Sequence, residues 1–295
     1  MGKTYTVEEA TFDSFKGMDI ASFAGGSISK DFAPHAVKAG AVVIDNSSAF
    51  RMDPEVPLVV PEVNPQAILK HKGIIANPNC STIIMVMALK PIYDLAKIKR
   101  VIVSTYQAVS GAGKEGIDEL DAQVREHSEG REMTANILPS ASAEKHYPIA
   151  FNLIPQIDVF CDNLYTKEEM KMVNETKKIM EDYEMRITAT TIRVPVYRSH
   201  SESVNIELEK EVDLGAMREA LAKFPGVTVQ DDPSKQEYPM PLYTSEKDDV
   251  YVGRLRRDES CEKSYNMWVV GDQIRKGAAL NTLQIAETMI KNGWI

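Results

Sequence analysis

Short apolar runs closed by small polar residues alternate with stretches of helical period through the first ninety positions. Residues 19–24 read as a buried strand ending in Gly25-Gly26-Ser27, and a helical stretch follows through Ala36-Val37-Lys38 to Gly40. Residues 41–44 give the next strand, which ends in Asp45-Asn46-Ser47-Ser48 and leads to Arg51. A third unit closes with a strand at 73–76, after which residues 82–90 predict an apolar helix opened by Ser81 and Thr82. Alternating strands and helices imply an α/β chain with a parallel sheet, whose ligands bind beyond the carboxyl ends of the strands. The Gly25-Gly26-Ser27 turn, Arg51 and Cys80 all fall at that edge and are expected to line one cleft.

Beyond Cys80 the strands lengthen and amphipathic helices separate them. Residues 102–106, 204–208, 251–255 and 267–270 read as strands, and 167–184 as a charged helix whose Met170, Met172, Val173, Ile179 and Met180 are expected in the core. A final helix over 277–292 returns to pack on the first part of the chain. Residues 231–241 form the expected exposed loop, and no internal repeat or low-complexity tract occurs.

A chain of 295 residues, 43% of them hydrophobic, can fill the cores of two domains. Cys80, Cys161 and Cys261 are an odd count without a metal-site or disulfide spacing, so no metal is expected and a reducing, cytoplasmic setting is. A net charge of -9 argues against a nucleic-acid partner. No apolar run reaches the roughly 18 residues of a membrane span, so no membrane partner is expected either.

Asn77-Pro78-Asn79-Cys80-Ser81-Thr82 is the stretch that carries chemistry, because it sets a thiol between a strand and a helix. A thiolate there sits among unpaired N–H groups at the positive end of the helix dipole, so its pKa is expected below that of a free thiol. The competing reading of Cys80 is a small buried hydrophobe. A second segment, residues 190–203, is β-rich and carries Arg193 and His200 near strand ends. Histidine titrates near neutral pH, and a Cys and His distant in sequence form an activated nucleophile pair when the fold joins them. His35, His71 and His127 lie in polar contexts, and His146 reads as structural.

On these two segments the chain resembles the bacterial aspartate-semialdehyde dehydrogenases, over about residues 19–286. The family's active-site signature matches Asn79-Cys80-Ser81-Thr82, and its base segment matches Arg193-Val194-Pro195 followed by His200-Ser201-Glu202-Ser203. The resemblance implies that Cys80 is the acyl-thioester nucleophile, assisted by Asn79, with His200 as the acid/base and Gln107 orienting the substrate. It implies that Glu168 holds the substrate amino group, Arg193 its carboxylate, and Arg51 and Lys171 the phosphate. Ser110, Gly111 and Gln273 match positions lining an NADP cofactor, and the Gly25-Gly26 turn is assigned to the same nucleotide. The implied architecture is an incomplete Rossmann-like nucleotide-binding domain (residues 1–79 with 271–295) plus an α+β catalytic and dimerisation domain (80–270), working as a homodimer. Its small-molecule substrate and inorganic phosphate would be its partners, in the pathway to lysine, methionine, threonine and isoleucine.

The residue types fit that reaction. A thiolate attacks an aldehyde, hydride leaves, and phosphate cleaves the resulting thioester; this needs a base, oxyanion donors, a planar fork for a carboxylate and separated cations for a phosphate. Singly, Glu168, Lys171 and Arg51 read as surface or structural residues; together they fit one reaction. One departure stands out: no G-x-G-x-x-G turn occurs near the start of the chain, where the family's pyrophosphate turn lies. A fragment of a longer gene is the expected cause, with a catalytically impaired or non-enzymatic homologue as the alternative. An enzyme like the N-acetyl-gamma-glutamyl-phosphate reductases differs around the cysteine, and a reductase of coenzyme A thioesters would need no phosphate cations.

Overall fold

The computed structural model describes residues 4–295. Its first sheet is parallel, in the order β1 (Ile20–Phe23), β2 (Val42–Asp45), β3 (Ile74–Ala76). Between β1 and β2 runs α1 (Ser29–Lys38), and Gly40 ends it with φ +100, a left-handed backbone that favours glycine. After β3 the chain enters α2 (Cys80–Leu95) directly. That helix is buried all round from Ser81 to Leu89, as its apolar run there dictates, and it runs beneath the second sheet.

The second sheet has six strands in the order β5-β4-β6-β9-β8-β7. They are β4 (Ile98–Gln107), β5 (Arg186–Arg193), β6 (His200–Leu208), β7 (Val227–Val229), β8 (Val250–Arg257) and β9 (Ser264–Gly271). Helices α3 (Lys114–Ser128), α4 (Lys167–Met180), α5 (Leu214–Lys223) and the short α6 (Pro241–Thr244) fill the connections. The main core joins α2 to the inner face of this sheet through Ile83, Met85, Met87, Val103, Val204, Ile206 and Val269. The expected core positions of α4 hold for Met172, Ile179 and Met180, while Met170 and Val173 are only half-buried. Among the described residues no helix is long and apolar enough to cross a membrane.

The last helix, α7 (Leu280–Asn292), returns to the first sheet, where Ile285 and Met289 pack with Ile44, Val59, Ile68 and Ile75. A π-helical turn at Arg275–Ala279 leads into it. Lys276 within this turn is buried, and its ammonium donates to Glu62 at 2.6 Å, Gln284 at 2.7 Å and Asn281 at 3.0 Å. Removing one partner of such a pair strands the other charge away from water. Lys276→Met is expected to lower unfolding free energy by about 3 kcal/mol, read as a fall in the urea midpoint at unchanged slope.

Candidate active site

Strand register builds one wall of the site. Parallel pairing sets Gln107, the last residue of β4, beside Arg193, the last of β5. Antiparallel pairing brings the start of β6 to the same end, with Ser201 opposite Tyr106 and His200 opposite Gly271 at the end of β9. Residues that begin or end four strands therefore converge, although 93 positions separate Gln107 from His200. The helix α2 aims its N-terminus, and so Cys80, at this edge, and α4 adds Glu168 and Lys171 from its first turns.

Between the two sheets lies a cleft of about 410 Å³ lined by Arg51, Asn79, Cys80, Gln107, Ser110, Gly111, Glu168, Lys171, Arg193 and Gln273. His200 stands behind the wall, fully buried, with Nε2 3.4 Å from Gln107 Nε2. The glycine turn does not join them. Gly25 lines a separate cavity with Phe15, Phe23 and Phe32, and Gly26 lines neither. The expectation of one shared cleft fails because β1 is two strands away from β3, roughly 10 Å across the sheet.

Glu168 is the hub. One carboxylate oxygen accepts from Asn79 Nδ2 at 2.9 Å and Gln107 Nε2 at 3.2 Å, and the other from Lys171 Nζ at 3.0 Å. Asn79 Oδ1 in turn accepts the Thr82 N–H, so Asn79 is the N-cap of α2 and the helix opens at Cys80 rather than at Ser81 and Thr82. Both ends of its amide are thus committed.

Arg193 is 3% exposed and spends only Nη1, on Ala108 O at 2.8 Å; its Nε is buried without a partner. An orphaned buried guanidinium N–H is costly unless a ligand takes it. Arg51 donates from Nε to Asn77 O, from Nη2 to Asn46 O and weakly from Nη1 to Glu175, which leaves one hydrogen on each terminal nitrogen. Gln273 donates to Ser110 Oγ and accepts the Ser199 N–H, keeping one donor and one lone pair spare. Among the described residues no group of His, Cys, Asp or Glu could hold a metal ion.

Comparisons with known proteins identify the family. Two family profiles match, "Semialdehyde dehydrogenase, NAD binding domain" over residues 1–71 and "Semialdehyde dehydrogenase, dimerisation domain" over 89–276. The aspartate-semialdehyde dehydrogenase of Aquifex aeolicus is 57% identical over 100% of this chain and 86% of its own length. That of Bacillus subtilis is 53% identical over 98% of this chain and 84% of its own. The chain belongs to the aspartate-semialdehyde dehydrogenase family. The crystal structure of aspartate semialdehyde dehydrogenase II from Vibrio cholerae superposes with a TM-score of 0.89 at 46% identity, covering 94% of this chain and 81% of that one. That enzyme has also been solved complexed with ASA. Membership confirms the mixed α/β fold, a nucleotide-binding part and a dimerisation part.

Two electrostatic expectations are corrected. Burial pushes the Cys80 thiol up to about 12, and the Glu168 carboxylate adds to the rise; Arg51, the Ser81 N–H and Arg193 oppose it. A helix N-terminus favours an anion by about 0.3–1 kcal/mol, at most ~2, while one pKa unit is about 1.4 kcal/mol. The dipole therefore offsets at most roughly one and a half units. Cys80 is half-buried and faces the cleft. His200 moves the other way, down to about 3, through burial and then the Arg193 charge, so it is neutral at pH 7 and does not titrate nearby. Its Nδ1 accepts the Ala108 N–H at 3.1 Å, which puts the ring proton on Nε2.

Glu168 and Lys171 behave as a pair. Burial works against both charges, but Lys171, Asn79 and Gln107 hold the Glu168 carboxyl down to about 2, and Glu168 with Asp158 raises the Lys171 ammonium. Sequence reasoning missed Asp158, 3.0 Å from Lys171 Nζ, and Glu175, 2.6 Å from the Asn79 N–H. Glu175 lies seven residues after Glu168 on the same helix face, the one signal that could have flagged it.

In this family member, alkylation of Cys80 by iodoacetamide in the free protein should climb about tenfold per pH unit well past pH 8; an inflection below that of a free thiol would contradict the burial argument. Gly111 sits where a Cβ would come 2.7 Å from Arg193 Nη1 and 3.3 Å from His200 Cε1. Gly111→Ala should cut kcat/KM by about tenfold or more while leaving the urea midpoint near that of the parent.

Proposed function

We propose that the chain catalyses the reversible, phosphate-dependent interconversion of L-aspartate 4-semialdehyde and 4-phospho-L-aspartate, using NADP and a Cys80 thioester. The reading is carried by one arrangement: a thiol at a helix N-terminus faces a cleft holding an arginine with an unpaired Nε and two further cations. Residues 1–79 with 271–295 would serve the nucleotide, and 80–270 catalysis and dimerisation.

Each group has a task that its surroundings favour. Arg193 offers Nε and Nη2, the bidentate edge of the guanidinium, to the substrate carboxylate. Glu168 is ionised and takes the substrate ammonium, in part replacing its bond to Lys171. Arg51 and Lys171 approach from different elements and can share a phosphate dianion. Gln107 orients the carbonyl, its amide fixed by Thr105 Oγ1 on one side and Glu168 on the other. The Cys80 N–H and the His200 Nε2–H are the donors left for the oxyanion.

The neutral thiol changes how the first step runs. Cys80 does not rest as a thiolate: as sulfur attacks, its proton passes to the carbonyl oxygen, which becomes the hydroxyl of the thiohemiacetal, so attack depends on a correctly placed carbonyl. In the oxidative direction His200 accepts the hydroxyl proton of the thiohemiacetal at Nε2. The ring proton must then shift to Nδ1, at the expense of the Ala108 bond. A nicotinamide, when bound, supplies the hydride acceptor and donor. Ser110, Gly111 and the spare donor and acceptor of Gln273 fit its carboxamide, and the preference for NADP follows from the family resemblance.

The test is NADPH formation by the purified chain from aspartate semialdehyde and NADP, with and without phosphate. Turnover is expected only with phosphate, and equal rates in its absence would mean that water, not phosphate, cleaves the thioester. Cys80→Ser should reduce turnover by about 10⁴ or more with an unchanged circular dichroism spectrum. Lys171→Met should raise the phosphate KM by about tenfold or more while shifting the aldehyde KM far less.

A further inference from the structure

Four charged side chains recur on α4 at positions 168, 171, 175 and 178, within about 80° of arc at 3.6 residues per turn. The first two belong to the cleft. The other two turn to the loop that carries Arg51. Lys178 Nζ donates to three backbone carbonyls of that loop: Arg51 O at 2.8 Å, Asp53 O at 2.7 Å and Val56 O at 2.8 Å. All three hydrogens of the ammonium are thereby engaged. Glu175 holds Arg51 at the far end, where Oε1 lies 3.4 Å from Nη1 while Oε2 accepts the Asn79 N–H.

Elsewhere the loop is held by Phe50 and Val56, which pack with the main core, and by Pro57 O, which accepts the Ala76 N–H at 2.9 Å. Between Phe50 and Val56 its own backbone bonds are short turns, Asp53 N–H to Phe50 O and Val56 N–H to Asp53 O, and its Glu55 pairs with Lys72 in an exposed bridge. Exposed pairs of that kind contribute little. Asn46 O and Asn77 O fix the guanidinium, but the backbone from which Arg51 springs is fastened to α4 by Lys178 alone among these contacts. Lys178 lies two helical turns beyond Lys171, about 10 Å along the axis.

We propose that Lys178 is a positioning residue for phosphate: it clamps the Arg51 backbone to α4, so that Arg51 and Lys171 are presented to one phosphate at a fixed separation. The proposal rests on the reading of Arg51 as a phosphate ligand. Lys178 itself touches neither phosphate nor aldehyde, because its three donors point into the loop. Its loss should therefore separate the two substrates kinetically. A side chain that merely stabilised the fold would affect both alike.

The experiment measures initial rates of the full chain in the oxidative direction, against phosphate and against aspartate semialdehyde, for Lys178→Met, Lys178→Arg and Arg51→Lys. Lys178→Met is expected to raise the phosphate KM by about tenfold and the aldehyde KM by less than about twofold. Lys178→Arg keeps donors for the carbonyls and should recover most of the loss. The phosphate concentration that half-protects Cys80 from iodoacetamide should follow the same order without requiring turnover.

A Lys178→Met chain whose phosphate KM and half-protecting concentration both stay within about twofold of the parent overturns the proposal. A parallel rise in both KM values overturns it too, since that marks general loosening. If Arg51→Lys leaves the phosphate KM unchanged, the assignment of Arg51 itself fails, whatever Lys178 does.

Discussion

One buried carboxylate ties the site together. Glu168 receives Asn79 from the cap of the nucleophile's helix, Gln107 from the end of a central strand, and Lys171 from its own helix. Unpaired, it would cost several kcal/mol to bury as an ion; with these donors it stays charged. The same bonds fix the cap, the amide and the cation relative to one another. The helix α2, the sheet end and α4 are thereby locked around a single charge.

That lock has a consequence for chemistry. The cleft is rich in charge, yet much of it is compensated before any ligand arrives: Lys171 faces Glu168 and Asp158, and Arg51 faces Glu175. The two groups expected to be ionised or titrating, Cys80 and His200, are instead neutral: at Cys80 burial outweighs the helix dipole and the nearby cations, and at His200 burial and the Arg193 charge act together. Reactivity is then conditional. The unpaired Nε of Arg193 is the exception, and it marks where an anion restores the balance.

Much of this was legible in the sequence. Apolar runs placed β1, β2, β3 and α2 to within a few residues, and periodicity placed α4, β4, β6, β8 and β9, while β5 was read only as part of a β-rich segment and β7 was not read. Cys80 and His200 stood out because their flanking patterns predict strand and helix ends, where side chains reach a cleft. Glu175 and Lys178 did not stand out. On a helix as rich in charged residues as α4, a further Glu or Lys reads as solvated, and only the approach of the Arg51 loop and of Asn79 gives them partners. Likewise, nothing in the spacing of Gly25 and Gly26 reveals that an intervening strand removes them from the cleft.

The sequence by itself determined which segments become strands and helices, where they end, and which reactive side chains sit at those ends, because these follow from local periodicity and capping. Tertiary structure alone decided the register that sets Gln107, Arg193 and His200 side by side, and the burial that neutralises the thiol and the imidazole. Both depend on contacts between residues far apart in the chain. Desolvation, which dominates the charge state here, belongs to no residue until the fold has excluded water from around it.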